Sequence, residues 1–268
     1  MDTTHPIYCV NLAHRVDRLM HSHTQFRRMR MCPTRVIYPQ FTKDHRGGVY
    51  GCFDSHVRVW RHFIDAFPKA GCCVVFEDDF VANDATRRTM KRAIRFLNRH
   101  AAHVDIVFLH DFFVPFEHPL NNDAHFTHGT GLSTVAYVIG RHYIQSVIDK
   151  HGRLPDANGR HIDNEICINF TNNENALYTT RAFYSNHTCV TQRIDRSDNY
   201  LGMLDECQRV DMNRQLYAVK HLYMQLQLGM GLSESQIRCV AYVFTMAFHG
   251  QCTRRDVFAL LQRWSRES

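Results

Sequence analysis

The sequence predicts an α/β domain over residues 1–204, followed by a small helical extension over residues 205–268. In the first two thirds of the chain, short apolar runs alternate with stretches of helical periodicity, which favours βα units around a mainly parallel sheet. From Leu204 onward the apolar residues recur at helical spacing only. The composition, 44% hydrophobic and 22% charged, is that of a globular protein.

The individual elements follow from the apolar runs and their boundaries. The predicted strands are 7–12, 72–76, 104–109, 134–139 and 177–184. The predicted helices run to about Met31, then over 53–67, over a segment capped by Asp84, over 143–149 and over 163–170. A loop is expected at 39–48 and a long loop at 115–131, and long loops in compact domains are often binding loops.

The net charge, the cysteine spacing and the lack of a visible targeting segment limit the kinds of function that the chain can have. A net charge of +6 suits an anionic ligand such as a nucleotide diphosphate. It is weaker than the concentrated basic stripe of a dedicated nucleic-acid binder. The ten cysteines form no CxxC pair, which argues against a zinc ribbon. Neither a signal peptide nor an apolar run of membrane-spanning length is visible, so a cytoplasmic location is expected.

The acidic triplet Glu77-Asp78-Asp79 is the most informative feature of the sequence, because it directly follows a buried apolar strand. Three adjacent carboxylates repel one another, and a hard divalent cation such as Mg²⁺ or Mn²⁺ would relieve that repulsion. The carboxyl ends of strands in open α/β sheets are also where ligands bind. A solvated turn at the start of a helix explains the triplet equally well.

Two further segments suit a phosphate-containing ligand. Arg15 and Arg18 lie three residues apart after the first strand, so a helical turn would place them on one face, where guanidinium groups could pair with phosphate. A solvated helix face is the simpler alternative. The segment 47–56 is a glycine-rich loop that opens a helix, although it matches neither the P-loop nor the dinucleotide fingerprint.

Taken in order, these segments resemble glycosyltransferase family 25, over about residues 6 to 200. The motifs that carry the resemblance are Asn11-Leu12 with Arg15-Val16-Asp17-Arg18, the Gly48 to His56 segment with Trp60, Glu77-Asp78-Asp79, Asp105 to Leu109, Thr134-Val135-Ala136-Tyr137, Asp163, and Gln192 with Ser197-Asp198. The segment 38–46 lacks the family's usual Asp-Gly, and the tail after Leu204 has no counterpart in the family.

The resemblance implies a GT-A-type, Rossmann-like mixed sheet that binds a nucleotide sugar. It also implies transfer of a hexose, galactose or glucose, from a UDP-sugar to an acceptor hydroxyl with inversion. The acceptor would be a glycan, a glycolipid or a protein. The helices of 205–268 are the expected surface for any homo-oligomer.

The resemblance and the residue chemistry together assign the candidate site. Mn²⁺ or Mg²⁺ would be held by Asp79, with Asp78 or Glu77 assisting, and His187 is a candidate third ligand, although a lone histidine is more often structural. The donor would be contacted by Asn11, Leu12, Arg15, Arg18, Ser55, His56 and Asp78. Asp163 or Glu165 is the candidate general base, with a plain helix cap as the alternative for Asp163.

Two other functional classes remain open at this stage. A non-catalytic relative could keep the fold and use the helical tail to bind a partner. A metal-dependent phosphodiester enzyme would also use clustered acids and basic residues.

Overall fold

The computed structural model describes residues 5–110, 113–115, 119–131, 133–151, 162, 166, 181–187 and 189–192. The helices are α1 (Val16–Arg28), α2 (Gly48–Ala66), α3 (Thr86–Arg99) and α4 (Arg141–His151). The strands are β1 (Ile7–Leu12), β2 (Gln40–Phe41), β3 (Cys72–Glu77), β4 (Phe80–Ala82), β5 (Ile106–Phe108), β6 (Phe113–Pro115), β7 (Phe126–Gly131), β8 (Ala136–Gly140), β9 (Ala182–Ser185) and β10 (Val190–Gln192). Within these ranges, no helix has both the length and the apolar character needed to cross a bilayer.

Eight strands form one mixed sheet in the order β2-β1-β3-β8-β5-β9-β7-β6. Parallel pairing joins β1 to β2 and β3, and joins β5 to β9. Strand β8 lies antiparallel between β3 and β5, and β7 is antiparallel to both β9 and β6. A separate pair, β4 with β10, is antiparallel. The α/β class with a mixed sheet is therefore confirmed.

The helices cover both faces of the sheet, and the side chains of β3 show why. Cys73 and Val75 pack in the cluster that contains residues of α2 and α4. Cys72, Val74 and Phe76 pack in the other cluster, with residues of α1 and α3. Successive side chains of a strand point to opposite faces, so a strand that is apolar throughout must be covered on both sides.

Two expectations about local structure were wrong. Helix α3 begins at Thr86 after Ala85, and Asp84 does not cap it. Instead the Asn83 side chain accepts a hydrogen bond from the Ala85 amide, and Thr86 Oγ1 accepts one from the Asn83 amide. The expected loop at 115–131 contains β7 and a short 3₁₀ helix, Pro119–Asn122.

Several expectations lie outside the described residues. They include the helix over 163–170, apart from Ile166, and the helical extension over 205–268. The division of the chain near residue 204 and any oligomer formed through the extension stay predictions.

Candidate functional site

The candidate site lies where β1 and β3 end side by side. After β1 the chain passes through α1 to β2 on one side, and after β2 it returns through α2 to β3 on the other side. This reversal creates a crevice at the carboxyl ends of the two strands, the usual ligand position in open α/β sheets. The register pairs Val10 with Glu77, so Asn11 comes next to Asp78.

The structure joins Asn11, Asp78 and Arg18 by direct hydrogen bonds. Asn11 Nδ2 donates to Asp78 Oδ2 at 2.8 Å, and Arg18 NH1 donates to Asp78 Oδ1 at 2.9 Å. Asn11 Nδ2 also donates to the Arg15 carbonyl at 3.2 Å, which fixes the start of α1 against the end of β1. Sequence segments about 60 residues apart therefore meet at one carboxylate.

Arg18 lies between the two aspartates of the triplet. Its NH1 is 3.7 Å from Asp79 Oδ2, in addition to its bond with Asp78. Burial raises the pKa of Asp78, and Arg18 and Asn11 offset only part of that rise. The Asp78 and Asp79 side chains are both buried, so their negative charge is only partly screened by water.

Arg15 has a different environment from Arg18, although they lie one helical turn apart. Its guanidinium makes a two-point contact with Asp17, with Nε–Oδ1 at 2.9 Å and NH2–Oδ2 at 2.8 Å. This contact lowers the pKa of Asp17 to about 2. Asp17 is exposed, so Arg15 is tied to the surface while Arg18 is tied to the acidic triplet.

Glu77 ends a chain of hydrogen bonds that runs through the core. Trp60 Nε1 donates to the Tyr137 hydroxyl at 3.1 Å, and that hydroxyl lies 2.7 Å from His56 Nδ1. His56 Nε2 is 3.3 Å from Glu77 Oε1, which also accepts a bond from Thr134. Burial opposes ionisation of Glu77, but the bonds from His56 and Thr134 and the charge of Arg18 lower its pKa.

The donors in this chain set the direction of its protons. An indole nitrogen can only donate, so the Tyr137 oxygen accepts from Trp60 and its own proton is available to His56 Nδ1. A His56 ring that accepts at Nδ1 carries its proton on Nε2, which then donates to the Glu77 carboxylate. The chain thereby fixes one carboxylate oxygen of Glu77 at the end of β3.

The start of α2 brings Ser55 and His56 to this region, but both are buried. Gly47 precedes the helix with φ +118°, a conformation that favours glycine. Ser55 Oγ donates to the Gly51 carbonyl at 2.7 Å. His56 has no exposed surface. Their described contacts suit support of the site better than direct contact with a nucleotide-sugar donor.

The remaining predicted site residues are less closely placed. Leu12 ends β1 and is partly buried against the core. His187 is exposed between β9 and β10, and its amide lies 3.3 Å from Ser185 Oγ. Asp163 and Glu165 lie outside the described residues.

Trp60, Thr134 and Tyr137 were in the motifs but were assigned no role. One signal could have identified Trp60, because it lies four residues after His56 and therefore on the same face of a helix. The contacts of Thr134 and Tyr137 depend on the pairing of β8 with β3, which the sequence does not reveal.

The donor set fits a hard divalent cation. Mg²⁺ and Mn²⁺ are commonly bound through one or two carboxylates together with substrate phosphates. The buried carboxylate of Asp79 lies at the strand end, beside Asp78 and a guanidinium. One or two carboxylates would bind such an ion and leave its other coordination positions to phosphate oxygens and water.

Comparison with known proteins gives structural likenesses only, since no protein-family model and no curated protein matches the chain. TarS of S. aureus in complex with UDP-GlcNAc is similar at 13% identity and a TM-score of 0.41, over 96% of this chain and 67% of that one. A glycosyltransferase involved in the glycosylation of the major capsid of PBCV-1 is similar at 10% identity and a TM-score of 0.32, over 59% of this chain and 81% of that one.

The mannosyltransferase PcManGT from Pyrobaculum calidifontis, in complex with GDP-Man and Mn²⁺, is similar at 12% identity and a TM-score of 0.32, over 99% of this chain and 81% of that one. All three are described as glycosyltransferases or are bound to a nucleotide sugar. At these TM-scores the likenesses assign no activity to this chain, so the functional conclusion depends on the site itself.

Proposed function

We propose that the protein is a metal-dependent glycosyltransferase of the GT-A type, related to family 25. It would transfer a hexose, galactose or glucose, from a UDP-sugar to an acceptor hydroxyl with inversion. The observation that supports this most is the meeting of Asn11, Arg18, Asp78 and Asp79 at the switch point of the sheet. The two buried carboxylates would provide the cation site, and the arginine between them would provide the anion contact, that a nucleotide diphosphate needs.

Arg18 is the best-placed residue to contact the diphosphate. Its Nε is buried and has no hydrogen-bond partner among the described residues. A buried donor without an acceptor costs about 1–3 kcal/mol, and a phosphate oxygen would relieve that cost. Arg15 would contact the diphosphate only after it gives up its contact with Asp17.

Asp79 would be the principal metal ligand, and its neighbours would hold it in place. Asp78 is fixed by Asn11 and Arg18, and Glu77 is fixed by His56 and Thr134. The bound ion would supply positive charge to the departing diphosphate. Direct ligation by Glu77 and His187 stays a prediction.

The chemical step would need a base near the acceptor. Asp163 or Glu165 would remove the proton of the acceptor hydroxyl while that oxygen attacks the anomeric carbon. The bond from that carbon to the diphosphate oxygen breaks, UDP leaves with the bonding electrons, and the configuration inverts. Asp163→Asn or Glu165→Gln should leave UDP binding intact and slow the acceptor-dependent release of UDP.

Release of UDP from a panel of UDP-sugars, with and without Mn²⁺, tests the proposal without an identified acceptor. We expect slow, metal-dependent release from one sugar, and loss of that release in Asp79→Asn. Asp84→Asn is the matched control because Asp84 is an exposed aspartate in the connection between β4 and α3. Release by Asp79→Asn at the parental rate would contradict the metal assignment. No release and no UDP binding by the parent would favour the non-catalytic class.

A further inference from the structure

A second cluster of metal-ligating side chains lies beside the acidic triplet. Cys52, His56 and Glu77 each present a ligand atom, and these three atoms all lie within 4.8 Å of one another. Within the described part of the chain, no other group of three such side chains forms a candidate metal cluster. Cys52 and His56 are four residues apart on α2, so they share a helix face, and Glu77 comes from the end of β3.

The distances in this cluster suit a tetrahedral ion. Two nitrogen or oxygen ligands of one tetrahedral zinc lie about 3.4 Å apart, given metal–ligand bonds of about 2.1 Å. His56 Nε2 and Glu77 Oε1 are already 3.3 Å apart. Cys52 Sγ lies within 4.8 Å of both atoms, and because Cys52 is exposed, a fourth position could be taken by water.

The surroundings of His56 also resemble those of a metal ligand. Metal-bound histidines use their second ring nitrogen for a hydrogen bond that fixes the ring. Here the Tyr137 hydroxyl lies 2.7 Å from His56 Nδ1, and Trp60 holds that hydroxyl from the other side. Thr134 holds the Glu77 oxygen in the same way. Two of the three ligands are therefore oriented before any ion binds.

We propose that Cys52, His56 and Glu77 form a binding site for a thiophilic divalent cation such as Zn²⁺, which does not include Asp79. At this site Glu77 would be a ligand of the zinc ion and not of the Asp79 ion. A thiolate and an imidazole favour zinc over Mg²⁺ or Mn²⁺, whereas Asp79 and phosphate oxygens favour the hard ions. Binding would replace the His56–Glu77 hydrogen bond with two bonds to the ion. The His56 proton would move from Nε2 to Nδ1, where it is donated to the Tyr137 oxygen, and the Cys52 thiol proton would be released to water. The proposal does not rest on the proposed transferase activity, because the site is built from this chain's side chains alone.

Alkylation of cysteines by N-ethylmaleimide, mapped by peptide mass spectrometry on the reduced full-length protein, tests the site directly. We expect Zn²⁺ to abolish labelling of Cys52 and to leave labelling of Cys32 unchanged, because both thiols are exposed but only Cys52 has neighbouring ligands. Mg²⁺ should protect neither thiol. Equal labelling of Cys52 with and without Zn²⁺ would overturn the proposal.

Two sets of variants separate this site from other metal-binding groups. Co²⁺ bound through a thiolate gives a sulfur-to-metal charge-transfer absorption, which should fall in Cys52→Ser and persist in Cys32→Ser. Asp79→Asn should retain the protection of Cys52 by Zn²⁺. An undiminished band in Cys52→Ser would overturn the assignment of the thiolate. Loss of protection in Asp79→Asn would place the zinc at the acidic triplet and overturn the claim of a distinct site.

Discussion

At the scale of single residues, the two arginines of α1 show how equal spacing can lead to unequal roles. Arg18 contacts the buried Asp78, and Arg15 contacts the exposed Asp17. The sequence predicts a shared face but cannot predict which arginine faces the sheet, because that depends on how α1 packs against β1. The difference leads to a test of the diphosphate contact.

Arg18→Lys should weaken binding of UDP in the presence of Mn²⁺ about tenfold, because lysine keeps the charge but loses the planar fork that matches phosphate. Arg15→Lys is the matched control, and we expect a smaller loss because Arg15 is already engaged by Asp17. Isothermal titration calorimetry with UDP measures both. Equal losses in the two variants would contradict the distinct role of Arg18.

The hydrogen-bond chain to Glu77 can be interrupted at a single oxygen. Tyr137→Phe leaves the Trp60 indole and His56 Nδ1 without their partner in the core, which should cost about 1–3 kcal/mol of unfolding free energy. It should also lower UDP release and shift its pH profile, because the His56 bond that helps to lower the pKa of Glu77 is no longer held in place.

Tyr8→Phe is the control for this variant, because it removes a hydroxyl from another tyrosine–histidine pair. The Tyr8 hydroxyl lies 2.9 Å from His62 Nδ1, and none of the hydrogen bonds described for this pair reaches the acidic triplet. Thermal unfolding and UDP release should be measured on both variants. Both can lose stability, but only Tyr137→Phe should change the pH profile. An unchanged pH profile in Tyr137→Phe would mean that the hydrogen-bond chain to Glu77 contributes to stability only.

At the scale of elements, Arg141 connects the start of α4 to the end of α2. Its guanidinium donates to the carbonyls of Ala70 at 2.8 Å and Phe63 at 3.3 Å, and to that of Phe67, and it lies over the Phe63 ring. The last carbonyls of a helix have no partner within the helix, and a cation there also opposes the negative end of the dipole.

Arg141→Met should lower the unfolding free energy by about 1–3 kcal/mol, because the Ala70 carbonyl loses its guanidinium donor and the carbonyls of Phe63 and Phe67 keep only a backbone amide each. Arg58→Met is the control, since Arg58 is exposed on the same helix and its pair with Asp54 is at the surface. We expect that variant to change stability by less than about 0.5 kcal/mol. Urea unfolding of both variants checks the difference. Equal effects would show that Arg141 does not hold the end of α2.

The elements also show what could be predicted from the sequence. Strands β1 and β3 are mainly apolar runs, and α2 has strong helical periodicity, so their positions and the position of the triplet at a strand end follow from local patterns. The burial of Asp78 and Asp79 has no such local signal. Strand β7 has the sequence FTHGTG, in which two glycines weaken the strand signal of Phe126, Thr127 and Thr130, and it is paired with β9 and β6. Such pairing is set by long-range contacts and leaves no local signal.

At the scale of the whole molecule, the two ends of the sheet differ in how they affect the pKa of a buried aspartate. Strands β3 and β5 both run antiparallel to β8, so they point the same way. Asp78 follows β3 at the carboxyl end, and Asp105 precedes β5 at the opposite end. Burial raises the pKa of Asp78, whereas bonds from His142 and Arg181 outweigh burial and lower the pKa of Asp105. The carboxylate with the raised pKa is the one at the candidate site.

Asp105 should therefore set part of the acid sensitivity of the fold. Its carboxylate accepts two bonds from the Arg181 guanidinium, at 2.7 and 3.1 Å, one from the Arg181 amide at 2.7 Å, and one from His142 Nε2 at 3.2 Å. These contacts tie the start of β9 and the start of α4 to β5. Asp105→Asn should cost about 1–3 kcal/mol at pH 7, because the buried side chain loses the charge that binds Arg181 and His142. Both partners are partly exposed, so water screens part of the effect.

The sign of the pH dependence follows from the lowered pKa. A carboxylate with a lower pKa in the folded than in the unfolded state stabilises the protein above its unfolded pKa of about 3.9, and that stabilisation is lost as the pH falls through the folded pKa. The difference between the parent and Asp105→Asn should thus stay constant from pH 7 to pH 5 and narrow below about pH 4. Urea unfolding across this range measures it, and the exposed Asp84→Asn should match the parent throughout. A difference that persisted undiminished at the lowest pH would mean that Asp105 stabilises the fold through shape and hydrogen bonding, and that its charge contributes nothing.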